Sequence, residues 1–237
     1  MDKKQEKKEW IKFLIRIALL IIVIVIYLYK FHVYDGESYY SKKEDSIIIN
    51  KSWESYNLLD KVDKFYHLGK ICFDGLESSD FEKLANIDYN IDSIYVTNTN
   101  FEDLSFMKKF KGIGYLHMVG DDVTIVEPVS TPVKTWSFYE SNVTGLNYLS
   151  STTDLSELNF NETNVEGAIK DYILYDSSVF AEFDTVKVLS LERCKIEDIS
   201  GVLEMEALKK IEVDDENITD EQIDKLEEKG IIVKLNY

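Results

Sequence analysis

The chain has 237 residues, with 27 Lys and Arg against 44 Asp and Glu, a formal charge of −17 at neutral pH, 15 tyrosines, and only 2 prolines and 2 cysteines. So acidic a chain repels polyanions, which excludes nucleic acid as a partner, because such binding needs basic patches that displace counterions. Two cysteines cannot supply the bridges of a disulfide-rich fold, and the histidines His32, His67 and His117 are scattered without metal-ligand spacing.

In chain order, residues 1–9 form a basic tail and residues 10–31 an apolar run, broken only by Lys12, Arg16 and Lys30 near its ends. A hydrocarbon core roughly 30 Å thick needs about 20 helical residues, so the run predicts one N-terminal transmembrane helix. The flanking cations can snorkel to the headgroups, and Trp10, Tyr27 and Tyr29 suit the interfaces. The rival reading is a cleaved signal peptide, but no small-x-small site follows the core. Lys3, Lys4, Lys7, Lys8, Lys12 and Arg16 precede that core, and by the positive-inside rule they place the N-terminus in the cytoplasm. The chain is then a single-pass protein of the cell membrane, held by a signal anchor, with its C-terminal domain extracellular. The first 34 residues hold 7 of the 27 basic and 3 of the 44 acidic side chains, which leaves 20 basic against 41 acidic for the remainder. That charge also argues against docking on anionic lipid.

Residues 32–45 are a juxtamembrane spacer rich in Tyr, Ser and charge, and residues 46–237 read as one elongated domain. Its N-terminal cap is expected over residues 46–67. Ile47, Ile48 and Ile49 form a β-prone run, and Ser52 can cap a helix with Tyr56, Leu59, Val62 and Tyr66 on one face. From Leu68 an apolar frame then recurs about every 22 residues. The clearest copy is Val186, Leu189, Leu191, Cys194, Ile196 and Ile199, and others run Ile91, Ile94, Val96 and Ile113, Leu116, Met118 and Val133, Trp136, Phe138. Further copies start at Leu68, Leu155 and Leu208.

Each copy predicts a short strand, and the strands are expected to stack into a parallel sheet lining a concave side, with loops or short helices on the convex side. Ser79–Asn86 looks helical, with Ser79 and Glu82 as a capping box, whereas Glu127–Pro132 cannot be a regular helix. The fifth copy is longer, and its extra stretch from Tyr172 to Phe183 predicts a packed turn or a protrusion. At the C-terminal end, residues 219–237 read as a cap: Thr219 and Gln222 box a helix, Gly230 ends it, and Ile231–Leu235 follows as a strand.

This frame is that of a leucine-rich repeat, an α/β solenoid. The chain from about Leu68 to Tyr237 resembles bacterial leucine-rich-repeat proteins of the internalin type, most clearly in Leu189–Ile199 and in Phe101–Leu104. It departs from them at the asparagine position, which holds Thr99, Asp121, Ser141, Thr163, Cys194 and Glu216. The resemblance implies recognition of a protein or glycan on the concave face, without a cofactor.

Strand alternation indicates which side chains would do this. The fifth position gives Cys72, Tyr95, His117, Ser137, Asn159, Ser190 and Glu212, and the seventh gives Asp74, Thr97, Val119, Tyr139, Asn161, Glu192 and Asp214. The candidate ligand-binding residues are Tyr95, Thr97, His117, Tyr139, Asn159, Asn161, Glu192 and Arg193. Cys72 and Cys194 stand five repeats apart, roughly 24 Å at strand spacing, too far for a disulfide. No convergent nucleophile and base, phosphate loop or calcium loop is present in the sequence, so no catalytic or metal residue is expected and the chain reads as a non-enzyme. The two functional readings are a membrane-tethered extracytoplasmic binding module and an assembly subunit of a membrane complex that uses the anchor or the fifth-repeat insertion as its interface.

Overall fold

The computed structural model describes Trp10 and residues 15–25, 39–41, 46–50, 68–82, 84–101 and 103–237. The tail, the helix expected from Ser52, most of the spacer and part of the 10–31 run lie outside the described residues. Residues 15–25 are helical, and among the described residues no helix is long and apolar enough to cross a membrane.

The repeat frame becomes a ten-stranded sheet. Its strands, in spatial order, are β1 (Tyr39–Ser41), β2 (Ser46–Ile49), β3 (Lys70–Asp74), β4 (Ile87–Thr97), β6 (Phe110–Val119), β8 (Val133–Tyr139), β10 (Glu157–Asn161), β14 (Val188–Glu192), β16 (Lys210–Asp214) and β17 (Ile232–Asn236). Only the β1–β2 pair is antiparallel. The expected register holds residue for residue. Ile71, Ile94, Leu116, Trp136, Leu158, Leu189 and Ile211 form one inward column, and Phe73, Val96, Met118, Phe138, Phe160, Leu191 and Val213 the next. All are buried, because period-2 alternation sends these positions to one face of the sheet. Aromatic rings fill the wider part of the core: Phe138 stacks on Phe160 at 5.5 Å, and Phe81 lies 5.1 Å from Phe73.

A second, seven-stranded sheet backs the first: β5 (Asn100–Phe101), β7 (Asp122–Thr124), β9 (Asn142–Thr144), β11 (Asn164–Val165), β12 (Ile169–Lys170), β13 (Ile173–Leu174) and β15 (Lys195–Ile196). After β3, β4, β6, β8, β10 and β14 the chain turns through a left-handed residue, at Gly75, Asn98, Gly120, Glu140, Glu162 and Arg193. The N–H groups of the first five donate to the strand end of the next coil, which keeps the turns in register.

The polar slot after this turn is filled as predicted with Thr99, Asp121, Ser141, Thr163 and Cys194, all buried. Glu216 departs from the frame, because it lies exposed in a 3-10 turn over Asp215–Asn217. An amide ladder does exist, one residue further on and facing solvent. Asn142 donates to Asp122, Asn164 donates to Asn142, and the Tyr172 N–H donates to Asn164.

The long fifth coil supplies β12 and β13, an antiparallel hairpin inserted into the short sheet, followed by a 3-10 turn that buries Phe180. From β10 to β14 the long sheet advances one strand spacing, whereas the short sheet advances three from β11 to β15. At about 4.8 Å per spacing, the short-sheet side is longer by roughly 10 Å there. The insertion is therefore a wedge, and it bends the solenoid toward the long sheet.

Helices are few. α1 spans Ser78–Phe81, not the expected Ser79–Asn86, and its N-terminal box pairs the Glu77 N–H with Asp80 at 3.1 Å, in place of Ser79 with Glu82. α2 covers Ser200–Glu204 and α3 Asp220–Glu228. The Thr219–Gln222 box at α3 is formed, and Gly230 takes the left-handed conformation behind it. The strand that follows adds to the long sheet in parallel, with Lys234 beside Glu212 and Asn236 beside Asp214.

Candidate functional site

Three outward columns cross the long sheet between β6 and β16. The third frame position gives Tyr115, Thr135, Glu157, Val188 and Lys210; the fifth gives His117, Ser137, Asn159, Ser190 and Glu212; the seventh gives Val119, Tyr139, Asn161 and Glu192. Short side chains run down the middle and long ones stand on either side. The result is a depression of about 380 Å³, on the side toward which the wedge bends the coils.

Five of the eight expected residues line this depression: His117, Tyr139, Asn159, Asn161 and Glu192. Tyr95 stands beside it, edge-on to Tyr115 at 5.9 Å and to His117 at 5.7 Å, with the Lys70 ammonium 4.2 Å over its ring. Thr97 is set apart, because its hydroxyl donates to Asp74 at 2.9 Å. Arg193 also falls outside the lining of the depression. It is the residue at which the chain turns off the sheet, with φ of +55°, so its guanidinium pairs with Glu162 and its N–H donates to Asp214.

Frame counting at the fifth and seventh positions overlooked the third. There the two residues between the first and second apolar positions break strict alternation, and the second of them faces outward. Tyr115, Glu157, Val188 and Lys210 enter the site this way. The third position pairs in the same register as the other two, but no alternation in the sequence marks it as outward.

At the aromatic end, Tyr115 and His117 stack at 5.7 Å, and His117 Nδ1 lies 3.2 Å from the Tyr115 hydroxyl and 2.9 Å from that of Ser137. Burial pushes the imidazole pKa down, which favours the neutral ring. At the far end Lys210 and Lys234 both grip Glu212, at 2.5 and 3.0 Å. Burial raises the Glu212 carboxyl, but the hydrogen bonds from the two lysines outweigh it and hold the pKa below its ordinary value. Glu157 and Glu192 differ in kind. Their hydrogen bonds come from neutral donors: Thr135 to Glu157 at 3.2 Å, and Asn161 and Asn236 to Glu192 at 3.0 and 3.1 Å.

The cysteines are free. Burial pushes the Cys194 thiol up to about 11, and burial first, then Asp74, raises that of Cys72, so neither is a poised thiolate.

No protein-family model matches the sequence, and no curated protein matches it. Among solved structures the chain is similar to internalin C2 from Listeria monocytogenes, at 19% identity and a TM-score of 0.43, over 76% of this chain and 84% of that one. So distant a likeness carries no argument; the strand register, the inward columns and the paired sheets do. The fold is a leucine-rich-repeat solenoid. On the outward columns of the long sheet, the buried, unpaired Asn161 Oδ1 lies in the same depression as the Tyr115 and His117 rings.

Proposed function

We propose that the chain is a non-enzymatic binding module, tethered to the cell membrane by residues 10–31, that recognises a protein partner outside the cell on the outer face of its long sheet. One observation carries the reading. The depression joins a stacked Tyr115–His117 pair to half-buried carboxylates and amides on rigid strands, and rigid aromatic anchors beside polar groups are what protein contacts use. A scaffold of paired strands also holds these side chains in place before any partner arrives, which lowers the entropic cost of association. The tether rests on the apolar run and the six cations that precede its core.

The test places a photo-crosslinking residue at Asn159 on the long-sheet face, or at Glu166 on the short sheet, in the full chain expressed in intact cells. Capture of one discrete partner from Asn159 and not from Glu166 is the expected result. Equal capture from both positions overturns the face assignment. External protease should remove the domain while the N-terminus survives, and protection of the domain overturns the orientation.

A further inference from the structure

We propose that the depression takes an extended segment bearing two basic side chains, preferably arginines, one in each of two equivalent lanes that end on Glu157 and Glu192; the proposal rests on the long-sheet face being the binding surface. The lanes come from the register. In the third column Tyr115, Thr135 and Glu157 stand on β6, β8 and β10, and in the seventh Tyr139, Asn161 and Glu192 stand on β8, β10 and β14. Each lane therefore runs from a tyrosine through a shorter polar residue to a glutamate two strands away. In each, the middle side chain donates to the glutamate, Thr135 at 3.2 Å and Asn161 at 3.0 Å. The two lanes are the same arrangement, shifted by one coil and four residues.

What the lanes lack is a cation. Among the described residues, ion pairs at the depression engage Glu212, with Lys210 and Lys234, and none engages Glu157 or Glu192. Holding a half-buried carboxylate on neutral donors alone leaves part of its desolvation cost unrecovered, and a ligand cation recovers it. The floor points the same way. Ser190 is only 7% exposed and lines the depression, with no hydrogen bond to its hydroxyl among the described residues, and Asn161 Oδ1 is buried beside it without a hydrogen-bond partner. The Glu157 and Glu192 carboxylates and the buried Asn161 Oδ1 are acceptors that a donor-rich ligand can reach. A guanidinium has five N–H donors and no acceptor, and its apolar stem and flat face suit a tyrosine ring.

The spacing sets the ligand's form. Four residues along a strand amount to about 13 Å, so basic side chains at positions i and i+4 of an extended segment match the offset of the lanes. The central column of Ser137, Asn159 and Ser190 is low enough to leave room for the segment's backbone.

The experiment titrates the full chain, in non-ionic detergent, with the peptide acetyl-Arg-Gly-Ser-Gly-Arg-amide and with its twin in which both arginines are citrulline. Citrulline keeps the shape and loses the charge. The arginine peptide should bind and the citrulline twin should not. Glu157→Gln and Glu192→Gln should each weaken binding about tenfold, and together abolish it, as expected for charge-assisted pairs. The pair Glu166→Gln with Glu182→Gln, away from the depression, should change nothing, and an unshifted thermal midpoint shows that the Gln variants fold. Equal binding of the citrulline twin, or unchanged binding by the Glu157→Gln and Glu192→Gln double variant, overturns the assignment. The double variant also separates this idea from the broader one. If crosslinking from Asn159 still captures the partner, the ligand chemistry is wrong and the face stands; if no position on the face of the unaltered protein captures a partner, the face reading itself fails.

Discussion

The backbone N–H of Thr99 donates to the buried carboxylate of Asp121 on the next coil at 2.6 Å, and the Val119 N–H donates to its other oxygen at 3.2 Å. A carboxyl group thus occupies a slot that asks only for a hydrogen-bonding side chain. Burial pushes its pKa up to about 7 from 3.8, despite these two donors. Between those values the folded protein holds a proton that the unfolded chain has released, so stability falls as pH rises through that window. Asp121→Asn keeps an acceptor and removes the charge. We expect it to abolish that part of the pH slope and to stabilise the protein above pH 7 by at most about 4 kcal/mol. Urea midpoints at pH 4.5 and pH 8 check this, and parallel slopes for the two proteins refute it.

Asp198 shows the opposite sign. Burial raises its carboxyl, but hydrogen bonds from the N–H and hydroxyl groups of Ser177 and Ser200 win and hold it at about 2. The Ser177 hydroxyl also accepts from the Gly201 N–H at 2.8 Å, so the network fastens α2 to the preceding coil. Its stabilisation is complete above the ordinary carboxylate value and is lost as pH falls through about 2. Asp198→Ala should cost about 1–2 kcal/mol at pH 7 and measurably less at pH 3. A deficit that does not shrink on acidification would assign the loss to packing instead.

Glycines at coil turns are not equivalent. Gly75 and Gly145 both have positive φ, at +64° and +76°, but a Cβ at Gly75 meets nothing within 4 Å, whereas one at Gly145 meets the Ile125 carbonyl oxygen at 2.0 Å. Gly75→Ala should cost about 1 kcal/mol from backbone conformation alone, and Gly145→Ala roughly 3 kcal/mol or more because β7 and β9 must part. Thermal midpoints of the two variants rank them, and a reversed order would mean that the coils slide freely.

The solenoid was legible because a two-residue alternation inside a 22-residue period leaves one register that buries Trp136, Phe138 and Phe160 together. The same period gave the fifth and seventh columns, and with them His117, Asn159 and Glu192. It could not give the third column, where Tyr115 and Glu157 sit ahead of the alternating stretch. Nor could it say that Arg193 turns away, since that depends on a backbone angle more often taken by Gly or Asn. The outward amide ladder through Asn142 and Asn164 was missed for a related reason. It lies one position beyond the slot where an inward asparagine is expected, and only the pairing of the short sheet brings those amides together.

The wedge hairpin links the longest coil to the shape of the binding face, and its turn carries measurable strain. Lys170 pairs with Ile173, so Asp171 and Tyr172 alone make the loop, with φ of +51° and +60°. Two positive values define the turn type in which Asn-Gly is favoured, and an exposed tyrosine in the second place is costly. Nothing in the core requires that ring. Replacing the pair by Asp171→Asn with Tyr172→Gly should therefore stabilise the fold by about 1 kcal/mol while leaving Ile169 and Leu174 packed. The wedge would keep its width, so affinity for the arginine peptide should not change. A rise in the unfolding midpoint with unaltered peptide binding supports both the strain and the purely geometric role of the hairpin. A loss of binding would mean that the hairpin tip acts on the distant face by more than spacing the coils.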